Sequence, residues 1–335
     1  MLPAETSRPI YAQYLTDKDE KMRAAAAEGF ARLGSPSDLP TVQKAWDAEA
    51  KTSPRLSLAF ALVALGMCFV IMTGGIDLSV GATAAFGSVV AAILSPYGML
   101  AGAFGGIAAG LLIGVLNGII IVKLRILPFI ATLAMMLAAN GSGLLLARDQ
   151  SVSVSYESGF TDLGQGDIFN IPIPALIAAV AYVIGSVVLN FTSAGRTVLA
   201  IGGNEDASRL MGLPVDRIKF FTYVVSGGLS GLAGVILASQ FGAGQPIEGV
   251  GWELFAIASV VVGGTLLTGG LGSVGATLAG VMLLGLIFNV LNFENGRGFI
   301  SLSAYWQSVI RGAFLLVVVI MQSQLTDRAD REGVP

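Results

Sequence analysis

The sequence has no histidine and one cysteine, Cys68, among 335 residues. A disulfide within the chain is therefore excluded, and a transition-metal site built on His or Cys lacks its ligands. The usual general base is missing too, and no nucleophile–base pair stands out. Charge is scarce: Asp, Glu, Lys and Arg make up 12% of the chain, against roughly 25% in a soluble domain. A net charge of −3 offers no basic face for nucleic acid. There is no Gly-x-x-x-x-Gly-Lys-Ser/Thr loop to cradle phosphates, so any ATP chemistry belongs to another polypeptide. Gly263-Gly264 and Gly269-Gly270 lack the lysine, lie in apolar surroundings and read as packing or hinge elements.

What the chain has instead is apolar length and glycine. Hydrophobic residues make up 54% and there are 44 glycines, with a mean hydropathy of +0.77. Small residues allow helices to approach closely in lipid, where side-chain burial gives no extra drive to association. The fold class is all-α, a polytopic membrane bundle. Its spans are read at about 56–74, 78–95, 100–122, 126–147, 171–191, 219–241, 253–268, 271–293 and 304–321, the shorter ones broken or re-entrant.

Charge divides the chain unevenly. Residues 1–55 carry 16 charged side chains, eight of each sign, and residues 56–335 carry 25. Three parts follow: a soluble helical segment over 1–55, a transmembrane domain over 56–323 and a tail over 324–335. Asp17-Lys18-Asp19-Glu20 opens a predicted helix that stops at Gly34, and a second runs from Asp38 to about Ala50. The pattern Met22 to Phe30 followed by Gly34 resembles a HEAT-like helical repeat, one unit and the start of the next over about residues 15–66, or else the segment is a loose amphipathic hairpin.

Basic residues in short loops mark the cytoplasmic side. Lys123 and Arg125, then Arg196, Arg209 and Arg217, then Arg328 and Arg331 belong there; the loop 148–170, with four acids and Arg148, belongs outside. Nine spans satisfy these assignments but place residues 1–55 outside, where a further, earlier span would return them to the cytoplasm.

Gly74-Gly75-Ile76-Asp77-Leu78-Ser79-Val80-Gly81 interrupts the apolar pattern between the first two spans. A carboxylate at that depth costs about 2.5–3.5 kcal/mol even on insertion-based scales. A broken helix bearing an acid is a feature of translocation paths. Asp77, helped by Ser79, either lines or gates such a path or caps the following helix through the Val80 and Gly81 amides. Asn117, inside an apolar span, needs a hydrogen-bond partner and serves either packing or the path. Pro128 breaks the start of its span and puts Phe129 and Thr132 near a bend, where Phe129 is either core or a stacking surface. Trp252 and Glu253 at an outer boundary read as an interfacial anchor or a partner contact. Arg311, in the last span, calls for a buried partner. In the cytoplasmic segment 192–218, Asn204 offers an N-cap for a short helix with Glu205 and Asp206 in its first turn, which Gly212 ends.

Met67 to Gly81 resembles the signature of sugar-importing permeases of bacterial ABC transporters, of the ribose, xylose and galactofuranose type. Further similarities follow in order: Gly114 to Gly118, Leu127 to Leu133, Gly195 to Arg209 and on to Gly212, Glu253 to Ala258, Gly263 to Thr265 and Gly269 to Ser273. The resemblance covers about residues 65–323, and the tail from Val317 to Gln324 leans towards the galactofuranose-like branch. It implies about ten spans with both termini cytoplasmic, so the family's first span has no counterpart here and a fusion junction is expected near residues 55–66. It also implies a plasma (inner) membrane location and a permease subunit, not an enzyme, with no cofactor of its own. ATP and Mg would sit in a partner ATPase, a periplasmic or extracellular binding protein would deliver a monosaccharide, and a second permease subunit, identical or not, would complete the path. By the resemblance Gly203, Asn204, Glu205, Asp206, Ala207, Arg209 and Gly212 form the coupling helix, with Glu205 and Arg209 as polar contacts to the ATPase. The alternatives are a branched-chain amino acid permease, a truncated permease fusion that does not transport, and an ATP-independent channel or secondary transporter.

Overall fold

In a computed structural model of the chain, the described residues are 4–15, 26, 30, 54–294, 309, 310, 312, 313, 316 and 320. They fall into two compact units, one of residues 1–52 with 288–307 and one of residues 53–287 with 308–335. In the first, α1 (Ala4–Tyr14) is a helix that the sequence reading did not anticipate, with Pro9 inside it. Tyr11 stacks edge-on against Phe30 at 5.9 Å, in a small cluster with Leu15 and Ala26. Most of the expected helices over 17–33 and 38–50, and with them the HEAT-like likeness, lie outside the described residues.

The second unit holds the apolar helices, the last of them as far as residue 287. In order they are α2 (Pro54–Met72), α3 (Val80–Leu94), α4 (Met99–Val122), α5 (Pro128–Ala147), a four-residue α6 (Asp162–Gln165), α7 (Ile173–Phe191), α8 (Ser193–Gly203), α9 (Glu205–Leu210), α10 (Val215–Phe241), α11 (Trp252–Val262) and α12 (Val274–Glu294). Two strand pairs, β1 (Val152–Ser153) with β4 (Ala243–Gly244) and β2 (Asp167–Ile168) with β3 (Ile171–Pro172), are antiparallel and two residues long. Five of these elements are long and apolar enough to cross a membrane; Leu58–Met72, Trp252–Val262 and Val274–Ile287 are shorter apolar helices. The first eight expected spans thus correspond to α2, α3, α4, α5, α7, α10, α11 and α12. The ninth, with Arg311, lies mostly outside the described residues.

Burial follows composition. Along α2 the side chains from Leu62 to Met72 are buried on every side, as expected of a helix without a polar face. It sits against Tyr182 and Leu189 of α7, Val198 of α8, Ile236 and Leu237 of α10 and Val260 of α11. α5 and α7 are peripheral and leave Leu137, Val183 and Ile184 at the surface. α4 and α10 meet backbone to backbone: a Cβ on Gly231 would lie 2.6 Å from the Gly106 carbonyl, and one on Gly110 would strike that of Gly227. Such contact is open only to glycine, and in lipid it supplies much of the packing attraction.

Loops sort to two ends. At one, Gly202 abuts the Met72 carbonyl and the Gly269–Gly270 turn, and the Gly270 N–H donates to the Met72 carbonyl at 3.1 Å. At the other, β1 pairs with β4, and the Ser155 N–H donates to Ser95 Oγ at 2.8 Å.

Candidate functional site

α2 stops in a Schellman turn. The Gly75 N–H donates to the Val70 carbonyl, and the Gly74 N–H to that of Ile71, with Gly74 at φ +75°. That backbone conformation is cheap only for glycine. The chain then crosses residues 75–79 without helix before α3 begins at Val80, and four helices converge on this break.

Asp77 sits at its centre, 1% exposed. Its Oδ1 accepts from the Ser79 N–H at 3.0 Å and the Ser79 hydroxyl at 2.6 Å. Its Oδ2 accepts from the Ser226 hydroxyl of α10 at 2.9 Å. Asn117 of α4 donates through Nδ2 to Ser79 Oγ at 2.9 Å. Thr132 of α5 accepts from the Leu78 N–H at 3.1 Å and donates to the Pro128 carbonyl at 2.8 Å. The Tyr223 side chain of α10 reaches the turn from below, its hydroxyl 2.5 Å from where a Cβ on Gly75 would stand.

This geometry corrects the capping alternative. The residue before α3 is Ser79, and no side chain caps the helix. The reason is that Asp77 reaches the Ser79 N–H and hydroxyl, two residues on, and not the Val80 and Gly81 amides. Both of its oxygens accept within the protein, so it ties the break to α10. Asn117 and Thr132 join it there, whereas Phe129, one helical turn away, is 55% exposed and packs in no core among the described residues.

Trp252 and Glu253 open α11. Trp252 is half-buried and meets Phe60 of α2 edge-on at 5.6 Å. Glu253 is half-buried too, and its Oε2 would lie 3.0 Å from a Cβ on Gly81. Gly81 is the second residue of α3, so α11 starts against the foot of that helix.

The segment 204–212 folds as its residue types dictate. Asn204 caps α9, its Oδ1 accepting the Ala207 N–H at 2.9 Å. α9 ends at Leu210, Met211 follows as its C-cap, and a second Schellman turn closes it: Gly212 N–H to the Arg209 carbonyl, Leu213 N–H to that of Ser208, with Gly212 at φ +76°. Glu205 and Arg209, expected to face a partner, are engaged within the chain. Arg209 donates to Glu205 Oε1 at 2.9 Å and to Asp216 at 2.6 Å, and Lys219 donates to Glu205 Oε2 at 2.9 Å. For Glu205, burial works to raise the carboxyl pKa, and the hydrogen bonds from Lys219 and Arg209 outweigh it, so the group stays below its ordinary value. The Asp216 and Glu205 carboxylates raise the Arg209 guanidinium. Outward, the charged Asp206 and Arg209 are exposed beside two apolar side chains at the C-terminal end, Leu210 and Met211, which are 90% and 68% exposed. Of the glycine pair before it, Gly202 is wedged against backbone while Gly203 has open space.

Sequence reasoning missed Ser226, Tyr223, Asp216 and Lys219. The small-residue run Ser226-Gly227-Gly228 signals close packing in a span, but not which partner it meets.

Residues 53–319 match the family described as the branched-chain amino acid transport system / permease component. The chain belongs to that permease family. The permease is similar to the ribose import permease protein RbsC of Haemophilus influenzae, 36% identical over 272 residues that cover 79% of this chain and 82% of that one. It is similar to RbsC of Bacillus subtilis, 41% identical over 263 residues, with 78% and 80% covered. Against the L-arabinose transport system permease protein AraH of Escherichia coli the identity is 40% over 263 residues, with 77% of each chain covered. No solved structure matches the permease significantly. Family and apolar helices together make it a multi-pass protein of the bacterial inner membrane.

Proposed function

We propose that this permease is the membrane subunit of an ABC importer for a monosaccharide. The similarity to ribose and arabinose permeases over more than three quarters of the chain carries this reading. A separate ATPase subunit hydrolyses ATP with Mg, an external binding protein delivers the sugar, and two permease subunits enclose the path between them. Residues 204–212 receive the movement of the ATPase. The capped helix, rigid at both ends, presents Leu210 and Met211 to an apolar groove, while Glu205 and Arg209 hold it to α10. The sugar is held weakly, by surfaces such as Phe129 that open towards the path. Residues 1–55 are a separate soluble helical segment, and 324–335 a cytoplasmic tail.

The test is co-reconstitution of the permease with candidate ATPase and binding-protein subunits, following hydrolysis with ribose, arabinose or leucine added. Stimulation by a sugar supports the proposal and identifies the substrate. Stimulation by leucine alone would move the substrate to the amino acids that the family description names. Stable insertion without any association with an ATPase would end the importer reading.

A further inference from the structure

α10 carries a stripe of residues at helical spacing: Asp216, Lys219, Tyr223, Ser226 and Ser230. Positions three and four apart share one face, so the stripe runs along one side of the helix. Its two ends meet different things. Asp216 and Lys219 grip Arg209 and Glu205 of α9 at 2.6 and 2.9 Å. Two turns further on, about 10 Å along the axis, Ser226 holds Asp77 at 2.9 Å, and Tyr223 between them supports Gly75. Residues 215–226 contain neither glycine nor proline, and kinks arise at such residues or at comparable insertions. The glycines of α10 begin at Gly227, beyond the contact.

We propose that α10 is the rod by which displacement of α9 reaches the break at Asp77, with Asp216 and Lys219 as its grip and Ser226 as its contact. The inference rests on α9 as the lever that the ATPase moves. These three are positioning residues; none of them touches sugar or nucleotide. The competing route runs through α8, whose Gly202 lies against the Met72 carbonyl.

A double-mutant cycle on the reconstituted importer decides between them, read as sugar imported per ATP hydrolysed. Lys219→Gln and Ser226→Ala each lower this ratio about five- to tenfold, within the usual range of coupling between sites. Links in series fail together, so the double variant falls no further than the worse single one. Sites this far apart otherwise add, and a ratio equal to the product of the two losses overturns the proposal, as does an unchanged ratio in either single variant. Lys219→Arg, which keeps a cation beside Glu205 and leaves the Glu205–Arg209 pair untouched, retains the ratio that Lys219→Gln loses; an equal loss in both variants also overturns the rod. Where Ser226→Ala does not insert, Ser226→Cys keeps the volume with a weaker donor and takes its place in the cycle. A wild-type importer without sugar-stimulated hydrolysis refutes the function itself, which is a separate result.

Discussion

Asp77 shows how a carboxylate is kept in a membrane protein. Burying it is tolerable because one backbone and two side-chain donors replace its water. Removing it leaves those donors buried and unpaired, at about 1–3 kcal/mol each. Asp77→Ala should therefore destabilise the permease by at least about 3 kcal/mol. Asp77→Asn keeps Oδ1 for Ser79 and lets the Ser226 hydroxyl turn to accept, so it costs only about 1 kcal/mol. Thermal unfolding in mild detergent measures both, and equal midpoints for the two variants would show that the donors do not depend on Asp77. The acid and its break were legible in Gly74 to Gly81. Its partners were not, because Ser226 lies 149 residues away and nothing local marks which buried serine faces which acid.

Among the elements, the short helix α9 was read almost whole from sequence, because caps are local. Asn204 satisfies an amide three residues ahead, and Gly212 supplies a backbone angle that few other residues take. The direction in which Glu205 and Arg209 point was not legible, since it depends on where α10 starts. The pairing of Glu205 also sets a pH window. A carboxyl whose folded pKa is depressed contributes fully above its ordinary value of 4.5, and the contribution is lost as pH falls through the lower folded value. A spin label at Met211 is thus expected to be equally immobile at about pH 8 and pH 5 and to loosen only on further acidification. Loosening between about pH 8 and pH 6 would contradict the pairing. Molar salt should loosen it at any pH, because the pair is partly exposed.

At the scale of the whole molecule, seven of the eight apolar helices start and end within four residues of where hydropathy put them, since apolar length sets a span, whereas α11 stops at Val262, six residues short of the expected end. α1 escaped notice because its residues carry no apolar periodicity and Pro9 argues against a helix. Sidedness is open to direct test. The chain's one cysteine is buried, so reactive thiols can be placed at will in a Cys68→Ser background. Arg125→Cys and Leu210→Cys should react with an impermeant maleimide only from the cytoplasm, and Tyr156→Cys and Phe169→Cys only from outside. Labelling of both pairs from one face would mean that the loops do not alternate as drawn.

The end of the bundle away from the basic loops is laced shut. β1 joins β4, Val154 bonds to the Gly242 carbonyl, and the Gly164 N–H reaches Ser239 Oγ at 2.6 Å. The connector leaving α5 is thereby fastened to the tip of α10. A gate that opened by parting these two helices would first have to unpick that seam. The cheaper aperture is one that carries the laced rim along as a single plate and opens, in the importer proposed above, along the boundary with a second permease subunit.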